Sequence, residues 1–61
     1  SFPTRRSSDL NLPEAWNNLG VAYAMKKDYT TAMQYFDQAA QAGMQDAAAN
    51  RDELAAWLAE Q

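Results

Sequence analysis

The residues able to do chemistry in this chain are few, and their types restrict what that chemistry is. Histidine and cysteine are both absent from the 61 residues. That excludes disulfides, zinc or iron–sulfur sites built on sulfur or imidazole, and any triad that needs an imidazole base. Carboxylates are the remaining acid–base groups. Asp52 and Glu53 are adjacent on a helical stretch and diverge, so they do not form a paired site. Asp37 reads as helix surface, Asp46 as an N-cap, and Thr30 and Thr31 as first-turn hydroxyls. No catalytic residue, metal ligand or cofactor is therefore expected. What remains is recognition chemistry. Asn17 and Asn18 each donate and accept hydrogen bonds, the capacity needed to grip a peptide backbone. Val21 and Met25 offer an adaptable apolar patch nearby.

These side chains need elements to hold them, and the hydrophobic spacing supplies three. The first helix runs from about Leu12 to Lys26, with Asn11 as a plausible N-cap and Pro13 in the first turn, where its missing N–H costs nothing. Glu14 suits the start of the helix dipole, and Lys26 and Lys27 suit its end. Ala15, Trp16, Leu19, Ala22 and Tyr23 recur at spacings of three and four, which is one helical face. Strand alternation would send Trp16 and Leu19 to opposite faces.

Asp28 is the N-cap candidate for a second helix, from about Tyr29 to Ala42, ended by Gly43 as a C-cap glycine. Its apolar face is Tyr29, Ala32, Met33, Phe36, Ala39 and Ala40. The Lys27–Asp28 joint is so short that the two helices must lie antiparallel. A third helix starts near Asp46 and runs toward Gln61, with Ala47 to Ala49 giving strong propensity. Asn50, Leu54, Trp57 and Leu58 share one face, while Asp52, Glu53 and Glu60 are on the solvent side. The fold class expected is all-α: an antiparallel hairpin plus a third packed C-terminal helix.

Residues 1–10, SFPTRRSSDL, have neither an apolar signal core nor helical or strand periodicity. They are identical to the translation of the sequencing-adapter DNA TCT TTC CCT ACA CGA CGC TCT TCC GAT CT, its last codon completed by any base. They are expected to be a disordered, adapter-derived artefact and are set aside from fold reasoning. Without Arg5, Arg6 and Asp9 the net charge moves from −3 to −4. No basic stripe is present, which speaks against nucleic acid as a partner. A DNA-binding three-helix domain is the rival this weakens. No run of about 18 apolar residues exists, so no transmembrane segment is expected. The reading is a soluble chain, cytoplasmic or periplasmic, with the compartment not encoded.

The first two helices also carry a motif. Trp16-x2-Leu19-Gly20-x2-Tyr23-x8-Ala32-x3-Phe36-x2-Ala39 resembles the signature of the tetratricopeptide repeat, W-x2-LG-x2-Y…A-x3-F…A. The spacing has a physical reading. Gly20 lacks a Cβ and lets the second helix approach closely, and Ala32 is its small partner. Trp16, Leu19, Tyr23 and Phe36 fill the space on either side, and Ala39 leaves room for the next helix to dock. All seven are read as packing residues. Two positions depart from the family pattern: Met44 stands where a proline is usual, and Lys27 where a glycine is favoured. A positive φ at Lys27 would cost about 1 kcal/mol.

The resemblance divides the chain into residues 1–10, a repeat over 11–46 and a C-terminal capping helix over 47–61. Strict register would put Asn50, Glu53 and Leu54 at the Trp, Leu and Gly positions, which is not a second consensus repeat. A one-residue slip is the competing alignment. The whole reads as a fragment of an α-solenoid with neighbouring repeats missing upstream, because about three repeats are needed for a stable array.

The resemblance implies a non-catalytic protein–protein interaction scaffold whose first helices line a concave groove for a peptide or partner helix. On this chain the groove candidates are Asn17, Asn18, Val21 and Met25, flanked by Glu14 and Ala24. Some family members grip a terminal carboxylate through an asparagine matching Asn18. Those clamps need basic partners, and this face has none, so a chaperone-tail clamp is not expected. The alternatives are a Sel1-like repeat, against which the short Lys27–Asp28 joint argues, or the repeat tail of a multidomain protein whose activity lies elsewhere.

Overall fold

A computed structural model describes residues 12–61. The expected disorder of residues 1–10 and the N-cap role of Asn11 lie outside them. The described residues form an all-α fold of three helices: α1 (Leu12–Met25), α2 (Tyr29–Gln41) and α3 (Gln45–Ala59). α1 packs on α2 and α2 on α3. With two short joints the direction reverses twice, so α1 and α3 run the same way on one side of α2.

Local chemistry sets each helix end. α1 stops in a Schellman turn: the Asp28 N–H donates to the Tyr23 carbonyl at 2.9 Å and the Lys27 N–H to the Ala24 carbonyl at 2.9 Å. The turn requires a left-handed residue, and Lys27 supplies it at φ 70°. The backbone strain expected of a non-glycine residue at this position is therefore present. Asp28 then caps α2, its carboxylate accepting from the Thr31 N–H at 3.4 Å. α2 ends in the same way: the Met44 N–H reaches the Ala39 carbonyl at 3.2 Å and the Gly43 N–H the Ala40 carbonyl at 2.9 Å. Here the left-handed residue is Gly43, at φ 102°.

α3 begins differently from the sequence expectation. Its N-cap is Met44, in extended conformation and with no side-chain cap. Asp46 lies one step inside, in the first turn, where its charge still favours the helix N-terminus. The glycine turn ending α2 delivers the chain into α3 two residues before Asp46 can act as a cap.

The core is built of small residues around one ring. Ala32, Ala39 and Ala47 are fully buried, Phe36 is 4% exposed, and Gly20 is buried against it. A Cβ on Gly20 would stand 2.6 Å from Phe36 Cδ1 and Cε1, so the absent methyl fixes how closely α1 and α2 approach. Aromatic pairs extend both contacts. Tyr23 and Tyr35 stack with centroids 5.6 Å apart, and Tyr29 packs at a tilt on Trp57 at 5.0 Å. Arg51 ties α3 to α2, its Nη1 meeting Asp37 Oδ1 at 3.1 Å while its Nε meets Asp52 at 3.3 Å. The hydrogen bonds to Asp37 and Asp52 raise the Arg51 pKa above its ordinary value.

Candidate binding trough

An open trough of about 370 Å³ runs between the parallel helices α1 and α3. Val21, Ala24 and Met25 form the α1 wall, at spacings of three and four. Asn50, Glu53, Leu54 and Trp57 form the α3 wall with the same periodicity. The Phe36 ring makes the floor. One face of each helix is thus turned to a common space, and α2 holds the two apart.

Exposure across the trough is graded. Met25 is 79% exposed, Trp57 43% and Val21 41%, while Asn50 and Leu54 are half-buried. A long thioether, an indole and a branched aliphatic side chain so near solvent give an apolar surface that can adapt to what it meets. Trp57 is held from behind by Tyr29. Asn17 and Asn50 bridge α1 and α3: the Asn50 amide donates to Asn17 Oδ1 at 3.0 Å.

The residues singled out from the sequence fall in distinct places. Val21 and Met25 stand together on the α1 wall, and Asn17 is in the amide bridge. Asn18 is exposed and is not part of the trough lining. Among the motif residues, Gly20, Ala32, Phe36 and Ala39 are buried. Trp16 and Tyr23 are half-buried, and Leu19 is 41% exposed. Asp52 and Glu53 diverge: Asp52 accepts from Arg51, and Glu53 sits on the trough wall.

The α3 wall is what the sequence did not offer as a site. Asn50, Leu54 and Trp57 share a face by spacing, but that face reads equally well as the inner side of a closing helix. Glu53 reads as solvent-side. The signal available was the i, i+3, i+4, i+7 series Asn50-Glu53-Leu54-Trp57 ending on a large aromatic residue.

Among the described residues no helix is long and apolar enough to cross a membrane, and no group of three or more potential metal-ligating side chains is found. No curated protein and no solved structure matches the chain. The sequence profile of the tetratricopeptide repeat matches residues 13–42, which takes in α1, the Lys27 turn and α2 to its C-cap. Its helix hairpin, with Gly20 against Phe36 and alanines at the helix contacts, makes this chain a tetratricopeptide-repeat protein with one repeat over residues 13–42 and a third helix packed on it.

Proposed function

We propose that the chain is a non-catalytic protein–protein interaction segment that takes a peptide or a partner helix in the trough between α1 and α3. The family supports protein interaction as the general role. The observation that carries the finer reading is the trough itself, with exposed Val21, Met25 and Trp57 over a Phe36 floor. Apolar side chains left near solvent in one concavity favour a partner that removes them from water, at about 25 cal/mol per Å² buried.

The amides add direction. With Asn17 Oδ1 engaged by Asn50, the Asn17 amide hydrogens and the Asn50 carbonyl oxygen are the groups offered to a ligand backbone. Asn18 is proposed as a contact beyond the trough, reached by a ligand that extends past the α1 wall. A catalytic role has no support in the residues gathered here, since the wall holds one carboxylate and no nucleophile–base pair.

The test is to titrate peptides selected from a random library into isotope-labelled chain and map the amide shifts. Perturbation centred on Val21, Met25, Asn50 and Trp57 supports the reading. Perturbation confined to the Trp16–Leu19 face refutes it. Unchanged affinity in Asn18→Ala removes Asn18 from the contact set.

A further inference from the structure

The charges around the trough are one-sided. Glu53 is the only ionised side chain among the described lining residues. Residues 12–61 carry three cations, and none of them lines the trough. Arg51 is held by Asp37 and Asp52. The Lys26 ammonium lies over the Tyr23 ring, 5.5 Å from its centroid. Lys27 stands in the exposed turn after α1, and its side chain is not part of the trough lining. An anionic ligand would meet Glu53 with no compensating positive group, in the field of a chain that is net negative. A cationic side chain would meet the opposite charge with no competing cation.

Trp57 reinforces the preference. It lies one helical turn from Glu53 on the same wall, 43% exposed and braced by Tyr29. An indole beside a carboxylate suits a lysine or arginine, whose stem packs on the ring while its charged end reaches the acid. The length of the wall sets the size of the ligand core. The seven helical steps from Asn50 to Trp57 span about 10 Å at about 1.5 Å each, the length of about three extended residues.

Resting on the reading of the trough as a peptide site, we propose that it selects an extended segment of apolar and basic character. Its backbone meets the Asn17–Asn50 bridge, an apolar side chain lies over Phe36 and Leu54, and a lysine or arginine lies at Glu53 and Trp57.

The experiment selects a displayed random-peptide library on the 61-residue chain and synthesises the leading peptide with capped ends. Its affinity is then measured for the wild-type chain, Glu53→Lys and Met25→Asp. Both substituted positions are exposed, and circular dichroism checks that each variant keeps its helices. The expected pool is enriched in lysine or arginine beside an apolar residue. The peptide should bind Glu53→Lys about 3- to 10-fold more weakly, the scale of a rim charge pair reversed. Its affinity for wild type should fall with added salt, and replacing its basic residue by glutamate should abolish selection. An acidic or uncharged pool overturns the charge inference. So does an unaffected Glu53→Lys when Met25→Asp still abolishes binding, and in both cases the trough reading stands. No selectable peptide, or binding indifferent to both substitutions, overturns the trough reading and this inference with it.

Discussion

Gly20→Ala sets two physical effects against each other, and the geometry decides between them. Gly20 lies inside α1, where alanine is favoured over glycine by about 1 kcal/mol of helix propensity. Propensity alone therefore predicts a more stable chain. The new Cβ, however, would stand 2.6 Å from two carbons of the Phe36 ring and 3.1 Å from a third. The ring has little room to withdraw, being 4% exposed on a helix whose flanking contact residues, Ala32 and Ala39, are fully buried. Overpacking of this kind costs about 1–3 kcal/mol, and here it acts on rigid atoms rather than on a flexible side-chain end. We expect a net loss of about 1–2 kcal/mol after the propensity gain is subtracted. A chain this short has only a few kcal/mol to lose, so most of the helical signal should disappear. Urea titration in the cold, followed by far-UV circular dichroism, measures it. Phe36→Leu in the Gly20→Ala background should recover part of the loss, so the two changes should be less than additive. A Gly20→Ala chain as stable as wild type, or strict additivity in the double mutant, would falsify the close approach of α1 and α2 as the organising contact.

Other substitutions probe the turns and the size of the chain. Lys27→Gly should stabilise by about 1 kcal/mol, because glycine adopts the φ of 70° without strain; an unchanged urea midpoint would count against that turn geometry. Gly43→Ala should destabilise by about 1 kcal/mol from backbone strain alone, since nothing lies within 4 Å of the added methyl. Asp28→Ala removes the cap on α2 and should cost about 1 kcal/mol, with Asp28→Ser recovering most of it in the same titration. With no disulfide or metal to staple one repeat and a helix, heating should give a broad transition at low temperature, and a sharp melt above about 60 °C would refute that expectation.

What could be read from the sequence was whatever the local chain settles. Gly20, Ala32, Phe36 and Ala39 sit at helical spacing, so their types reveal both the helices and the close contact between them. Asp28 and Gly43 announce helix ends because capping is a matter of a few neighbouring residues. Lys27 was legible in part: its position named the strain, and only the backbone angle showed it present. The Asn17–Asn50 hydrogen bond was beyond reach, because it joins residues 33 apart and depends on how α3 is placed across α2. Glu53 is exposed, as its solvent-side place on the helix implied, but that it borders a trough facing α1 was out of reach for a related reason. Periodicity says which residues share a face, but whether that face meets solvent or a neighbouring helix is a tertiary matter. Leu19 makes the same point in reverse: it stands at an apolar motif position and remains 41% exposed.

α2 carries three of the buried side chains, Ala32, Phe36 and Ala39, and is the helix that packs on both others. Each of those contacts joins helices adjacent in the chain, so none awaits the closing of a long loop. Such a topology belongs to the fast end of folding, in the microsecond-to-millisecond range of small helical domains. It also orders the opening. α1 or α3 can peel away while the other stays on α2, whereas α2 cannot unfold without releasing both. In native-state hydrogen exchange the slowest amides should therefore cluster between Ala32 and Ala39, with protection falling outward along the other two helices. The single repeat would then behave as a short one-dimensional lattice, with its cooperativity concentrated at the middle site.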